Sequence, residues 1–121
     1  MGESLVESDV LQELVGEEVG GICFVRTYVE LYFDGPVLRA LARPTLAMSD
    51  SSVTFPEPGS RDALCTLIGK RVEGIRVIPG EVIELAFQYG DILTIPLDSE
   101  SRVGPEAAQY TRGIDQGVFV W

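Results

Sequence analysis

Apolar residues recur at helical spacing near the start of this chain, and the pattern then changes to simple alternation. Val6, Val10, Leu11, Leu14 and Val15 share one face of a helix. Ser4 stands at its N-cap, with Glu7 three positions on to complete a capping box. Gly16 stops it, because glycine alone enters a left-handed conformation at little cost. Alternation over 19–26, 28–33 and 37–42 then predicts three strands. The same succession follows from Ser60, which caps a second helix. Asp62 lies in its first turn, Leu64, Leu67 and Ile68 face inward, and Gly69 ends it. Three more strands are predicted over 72–78, 82–88 and 92–97. Asp34-Gly35, Pro79-Gly80 and Tyr89-Gly90-Asp91 supply the turns. Segments 52–55 and 117–121 read as a fourth strand for each half, with 48–51 as a loop or hairpin turn before the first.

The two halves echo each other residue by residue. Leu14-Val15-Gly16-Glu17-Glu18-Val19-Gly20-Gly21-Ile22 returns as Leu67-Ile68-Gly69-Lys70-Arg71-Val72-Glu73-Gly74-Ile75. Glu30-Leu31-Tyr32-Phe33 returns as Glu84-Leu85-Ala86-Phe87. Self-similarity of this kind sets architecture. The expected fold is therefore α+β, a single domain over 1–121 with a two-fold internal repeat. The copies span about 1–55 and 60–121. Each is a short helix followed by a three- to four-stranded antiparallel meander. Neither meander can cover its own apolar face, so the copies pack about a pseudo-two-fold axis into one core. Pro56-Glu57-Pro58-Gly59 is too short to separate independent domains.

Composition narrows the function by exclusion. Of 121 residues 45% are hydrophobic, so the chain folds. No apolar run reaches the roughly 18 residues of a membrane span, and Met1-Gly2-Glu3-Ser4 lacks the basic start of a secretory signal. Val6 stands where myristoylation needs Ser or Thr. Cys23 and Cys65 read as two unbonded thiols in a reducing cytoplasm, each a small buried apolar residue. Net charge is −10. Residues 1–36 hold eight acids and one base, 37–80 four acids and six bases, and 81–121 seven acids and two bases. There is no basic footprint for nucleic acid. The acidity would steer the chain toward a basic protein.

Histidine is absent, which removes the commonest general base and the commonest metal ligand together. No nucleophile motif, phosphate loop, cofactor site or metal site is expected, and the balance leans away from an enzyme. Two constellations stand out. Glu30 and Glu84 occupy equivalent positions in the repeat, and a dyad could bring them into one pocket where paired carboxylates split acid and base roles. The plainer expectation is that both lie on solvated outer sheet faces. Tyr28, Glu30 and Tyr32 share a strand face near Arg26, and Glu13, Glu17 and Glu18 crowd the end of the first helix. These residues form the candidate partner-binding surface. Arg39, Arg43, Arg61, Lys70, Arg71 and Arg76 are too scattered to form a phosphate site.

The strings Tyr28-Val29-Glu30-Leu31-Tyr32-Phe33-Asp34-Gly35-Pro36, Arg61-Asp62-Ala63-Leu64-Cys65-Thr66-Leu67-Ile68-Gly69 and Gly104-Pro105-Glu106-Ala107-Ala108 resemble a family of small uncharacterised α+β proteins common in actinobacteria. These are similar in character to the immunity proteins encoded beside polymorphic toxins. The resemblance implies toxin neutralisation and carries no functional residue with it. The expected function is a non-enzymatic cytosolic protein-binding module, an immunity or inhibitor protein, with homodimer formation compatible. The alternative is a small-molecule-binding or histidine-free cyclase- or isomerase-type domain with its site between the halves.

Overall fold

The structure, a computed structural model of the chain, describes residues 10–113 and 117–121. It is mostly antiparallel sheet, α+β in the broad sense. Among the described residues ten strands run in chain order: β1 (Gly21–Val25), β2 (Tyr28–Tyr32), β3 (Val37–Ala40), β4 (Thr45–Ala47), β5 (Ser52–Thr54), β6 (Val72–Ile78), β7 (Val82–Phe87), β8 (Ile92–Pro96), β9 (Ala108–Thr111) and β10 (Val118–Val120). One short α-helix, α1 (Ser60–Cys65), stands between β5 and β6. Before β1 the described chain has only a 3₁₀ turn, Leu11–Leu14. The capping box at Ser4 and Glu7, and Val6, lie outside the described residues.

The strands form two five-stranded sheets, β1-β2-β3-β9-β10 and β5-β4-β8-β7-β6. Read from its other end, the second sheet has the order of the first with five added to or taken from every number. The expectation that each half keeps its own meander is corrected here. The three leading strands of each half do form a meander. Its last two strands, however, cross to the other half's sheet: β9 pairs with β3, and β4 with β8. The halves are interlocked. This explains why neither the 45–47 nor the 108–111 segment reads as a strand on its own: each is recruited by a partner far away in sequence.

Side-chain alternation sends one face of each sheet inward. Ile22, Leu31, Leu38, Tyr110 and Phe119 form one inward cross-strand row of the first sheet. Ile75, Leu85, Leu93, Leu46 and Val53 form its counterpart in the second. Both rows join one core cluster with Leu11, Leu14, Leu64 and Leu67. The 3₁₀ turn packs on β6, and α1 packs on β1, β4 and β5. Two helix expectations fail. Val15 and Ile68, predicted to face inward, are exposed, because each is the last residue before a glycine at φ +92° that turns the chain away. Ser60 does not cap α1: Gly59 occupies the N-cap, and the Ser60 hydroxyl is buried with no hydrogen-bond partner among the described residues.

Two segments cross where the halves meet. Gly16 N–H donates to Val72 C=O and Gly69 N–H to Val19 C=O, at 2.7 and 2.8 Å. Val19 N–H donates to Lys70 C=O and Val72 N–H to Glu17 C=O, at 3.0 and 2.9 Å. Each bond is the mirror of another under the sequence offset, and an isolated antiparallel bridge, Glu18 with Arg71, lies at the centre.

Candidate functional site

An open cleft of about 760 Å³ lies beside this crossing. Residues 16–20 form one wall, 32–34 at the end of β2 a second, and Ile68, Gly69 and Arg71 a third. The local sequence dictates the shape. Gly16, Gly35 and Gly69 all sit at positive φ, where a Cβ would be strained, and they let three chain reversals converge. The polar lining is Glu17, Glu18, Asp34, Arg71 and the Tyr32 side chain, with exposed Ile68 among them. Three carboxylates against one guanidinium leave the cleft acidic.

Large apolar groups gather around the same crossing. Val15, Tyr32, Ile68 and Tyr89 are all exposed. Tyr89 is the most open at 82% and stands at φ +69° in the turn Gln88–Gly90. Lys70 lies over its ring at 5.9 Å and is ion-paired with buried Asp91. A non-glycine residue at positive φ is uncommon, and here it displays an aromatic ring to solvent. Protein-binding surfaces have this composition, apolar anchors with a charged rim.

Tyr32 links the cleft to a network on the outer face of the first sheet. Its hydroxyl donates to Glu30 Oε1 at 2.7 Å, and Arg39 Nε donates to Glu30 Oε2 at 2.6 Å. Arg39 Nη1 reaches Thr111 Oγ1 at 3.4 Å. The register requires this meeting, because Glu30 and Arg39 are direct cross-strand partners on β2 and β3. Burial pushes the Glu30 carboxyl up. The Tyr32 hydroxyl and the Arg39 guanidinium outweigh it and hold the carboxyl below its ordinary value. The Tyr32 phenol is correspondingly raised, first by the same hydrogen bond.

The expectation of two solvated glutamates is therefore half corrected. Glu30 does sit on an outer face, but it is only 7% exposed, roofed by Tyr32 and Arg39. Glu84 is half-buried on the outer face of the second sheet and pairs with Arg76 at 2.9 Å. The inner faces of the two sheets share the core, so the two carboxylates point away from each other. The structure does not bring Glu30 and Glu84 together.

The other candidate residues divide. Glu17, Glu18 and Tyr32 line the cleft. Glu13 does not: it pairs with Arg112 and accepts a hydrogen bond from the buried Tyr110 hydroxyl at 3.1 Å. Tyr28 lies at the far end of β2, opposite Val25, beside the Arg26 turn. Asp34, Ile68 and Arg71 are cleft residues that the sequence reading missed. Their signal was present in the repeat: Ile68 and Arg71 are the equivalents of Val15 and Glu18, so marking one segment as a surface should have marked the other. The two cysteines are free. Cys23 is half-buried opposite Glu30, and Cys65 is exposed at the end of α1, which corrects the expectation that both are buried.

Among the described residues no group of three or more Cys, Asp or Glu side chains is placed to hold a metal ion. Among them, too, no helix is long and apolar enough to cross a membrane. Comparison with protein-family models, with curated proteins and with solved structures finds no match to this chain.

Proposed function

We propose that the chain is a non-enzymatic protein-binding module of the immunity or inhibitor kind, and that it takes a basic partner at the cleft between its halves. One observation carries the reading: Glu17, Glu18 and Asp34 converge beside exposed Tyr32 and Ile68, on a chain of net charge −10. A desolvated apolar anchor gives affinity, and an acidic rim accelerates encounter with a basic surface. Two free thiols suit a reducing cytoplasm. The same proposal reads the chain as a tandem duplication with a helix in each copy and its last two strands exchanged. The resemblance to actinobacterial proteins of immunity-like character points the same way.

The test is a titration of isotope-labelled chain with an arginine-rich peptide and with a glutamate-rich peptide of equal length. The basic peptide is expected to shift amides of 16–20, 32–34 and 68–71, and the acidic one none. Charge reversal at Glu17, Glu18 and Asp34 together should remove those shifts and leave the melting temperature within error, since exposed charges contribute little singly. Shifts scattered over every acidic surface, or shifts that survive the triple variant, would overturn the reading. The alternative, a small-molecule site of cyclase or isomerase type between the halves, draws on the cleft's volume. That volume falls in the range of about 300–1,000 Å³ usual for ligand pockets. Neither Glu30 nor Glu84, the carboxylates such chemistry would need, lies in that lining.

A further inference from the structure

The two sheets have four edges, at β1, β5, β6 and β10. The turn at Leu11–Leu14 packs on β6, and Gln12 Nε2 donates to its Ile75 carbonyl at 2.9 Å. The helix α1 packs on β1, with the Arg61 guanidinium over the Phe24 ring at 5.8 Å. At β5 the outward backbone groups of Thr54 are both taken by one residue. Its N–H donates to Glu57 Oε1 at 2.9 Å, and its C=O accepts from Glu57 N–H at 2.8 Å.

Of these four edge strands β10 is the one that carries exposed large apolar side chains. Trp121 N–H donates to Ala108 C=O at 3.0 Å, so Trp121 and Ala108 form a hydrogen-bonded pair of the ladder. Bonded and non-bonded pairs alternate along an antiparallel ladder. Phe119 is therefore bonded to Tyr110, and Val118 and Val120 turn their N–H and C=O groups outward. No described residue meets those groups. Both side chains are also open, Val118 at 58% and Val120 at 40%. Proteins normally blunt such an edge with lysine, proline or a bulge, and β10 has none of these.

We propose that β10 is a self-association edge, and that its occupant is β10 of a second copy, paired antiparallel about a two-fold axis at Phe119. Charge selects this occupant. Neither β10 nor its neighbour β9 bears a charged residue, so the strip offers nothing to an acidic or a basic partner. It is a surface on which two chains of net charge −10 can approach without placing like charges opposite each other. Geometry matches as well. With Phe119 opposite Phe119, Val118 of each chain faces Val120 of the other. The two valine pairs exchange all their outward N–H and C=O groups, and β-branched residues stack across the join. The result is one continuous ten-stranded sheet that leaves both clefts free.

Sedimentation equilibrium from about 10 µM to about 1 mM spans the range in which so small a contact should associate. The weight-average mass is expected to climb from 13.2 kDa toward twice that value. Added salt should favour the dimer by screening net repulsion. Val120→Pro removes an outward N–H and no ladder bond, so it should hold the mass at 13.2 kDa throughout. Val120→Lys, which leaves the backbone intact, should do the same. A wild-type mass that stays at one chain up to about 1 mM overturns the proposal. So does a dimer that survives both variants, or one that salt dissociates.

Discussion

Replacing Arg39 with methionine tests the electrostatic reasoning most directly. Arg39 and Glu30 meet at 2.6 Å with side chains 29% and 9% exposed, so the substitution leaves a carboxylate buried without its cation. Removing one partner of a fully buried pair costs about 3–5 kcal/mol; Glu30 keeps the Tyr32 hydrogen bond here, which brings the expected loss to about 2 kcal/mol at neutral pH. Removing both charges, Arg39→Met with Glu30→Leu, should return to within about 1 kcal/mol of wild type, because no buried charge remains.

The pH dependence should also weaken. In the wild type the folded-state pKa of Glu30 lies below its unfolded value. Its stabilisation is therefore present above the unfolded value of about 4.3 and is lost as pH falls through the folded value. Without Arg39 both of its lowering contributions are lost while the Tyr32 hydrogen bond remains, so the folded pKa rises from its wild-type position. The stability that ionised Glu30 contributes then shrinks, and the loss on acidification shrinks with it. Urea denaturation of the wild type and the single and double variants between pH 3 and 8, about the span of both transitions, reads all of this. A single variant whose midpoints follow the wild type across that range would refute the argument.

Other outcomes follow from named contacts. Cys65 should react with a thiol reagent in the native state, Cys23 more slowly, and both at once after unfolding; mass spectrometry of timed samples checks the order. Gly16→Ala and Gly69→Ala should each cost about 1–2 kcal/mol in chemical denaturation, because both sit at φ +92° and neither lacks space for a methyl group. Tyr110→Phe removes a hydroxyl that bonds Glu13 from the core, and should cost about 1 kcal/mol by the same assay, with Glu13 still held by Arg112. Leu38→Ala, at a fully buried site on β3, should cost about 2–5 kcal/mol.

The sequence is most readable where one segment supplies its own signal. Strand β6 is legible to the residue, since β-branched alternation runs from Val72 to Ile78 between a glycine-ended helix and Pro79-Gly80. The turns at Gly16, Gly35, Gly69, Gly80 and Gly90 are legible because each takes a positive φ. Strands β4 and β9 are not. Thr45-Leu46-Ala47 and Ala108-Gln109-Tyr110-Thr111 are short and weak in intrinsic preference, and only pairing with β8 and β3 makes them strands. Strand exchange itself leaves no mark in hydrophobic periodicity, which says which face is buried and not whose sheet is joined. The burial of Glu30 was hidden for a related reason. Alternation places it on an outer face, and only register reveals Tyr32 and Arg39 folded over it. Cleft residues Glu17, Glu18 and Tyr32 could be marked from charge and aromatic character, whereas Asp34 looked like nothing more than a turn residue.

The crossing of β4 and β9 between sheets also governs how the chain can come off the ribosome. A polypeptide emerging from its N-terminus completes β1, β2 and β3 early, yet the open flank of β3 must wait for residues 108–111, and Leu38 for Tyr110. Hairpin β4–β5 is ready at the midpoint with no β8 to receive it. The second sheet can be completed once β8 has emerged at Pro96, whereas the first waits for β9 and β10 near the end of the described chain. The flank of β3 therefore stays unpaired through most of synthesis, and an unpaired edge of that kind invites association with another chain before the fold is finished.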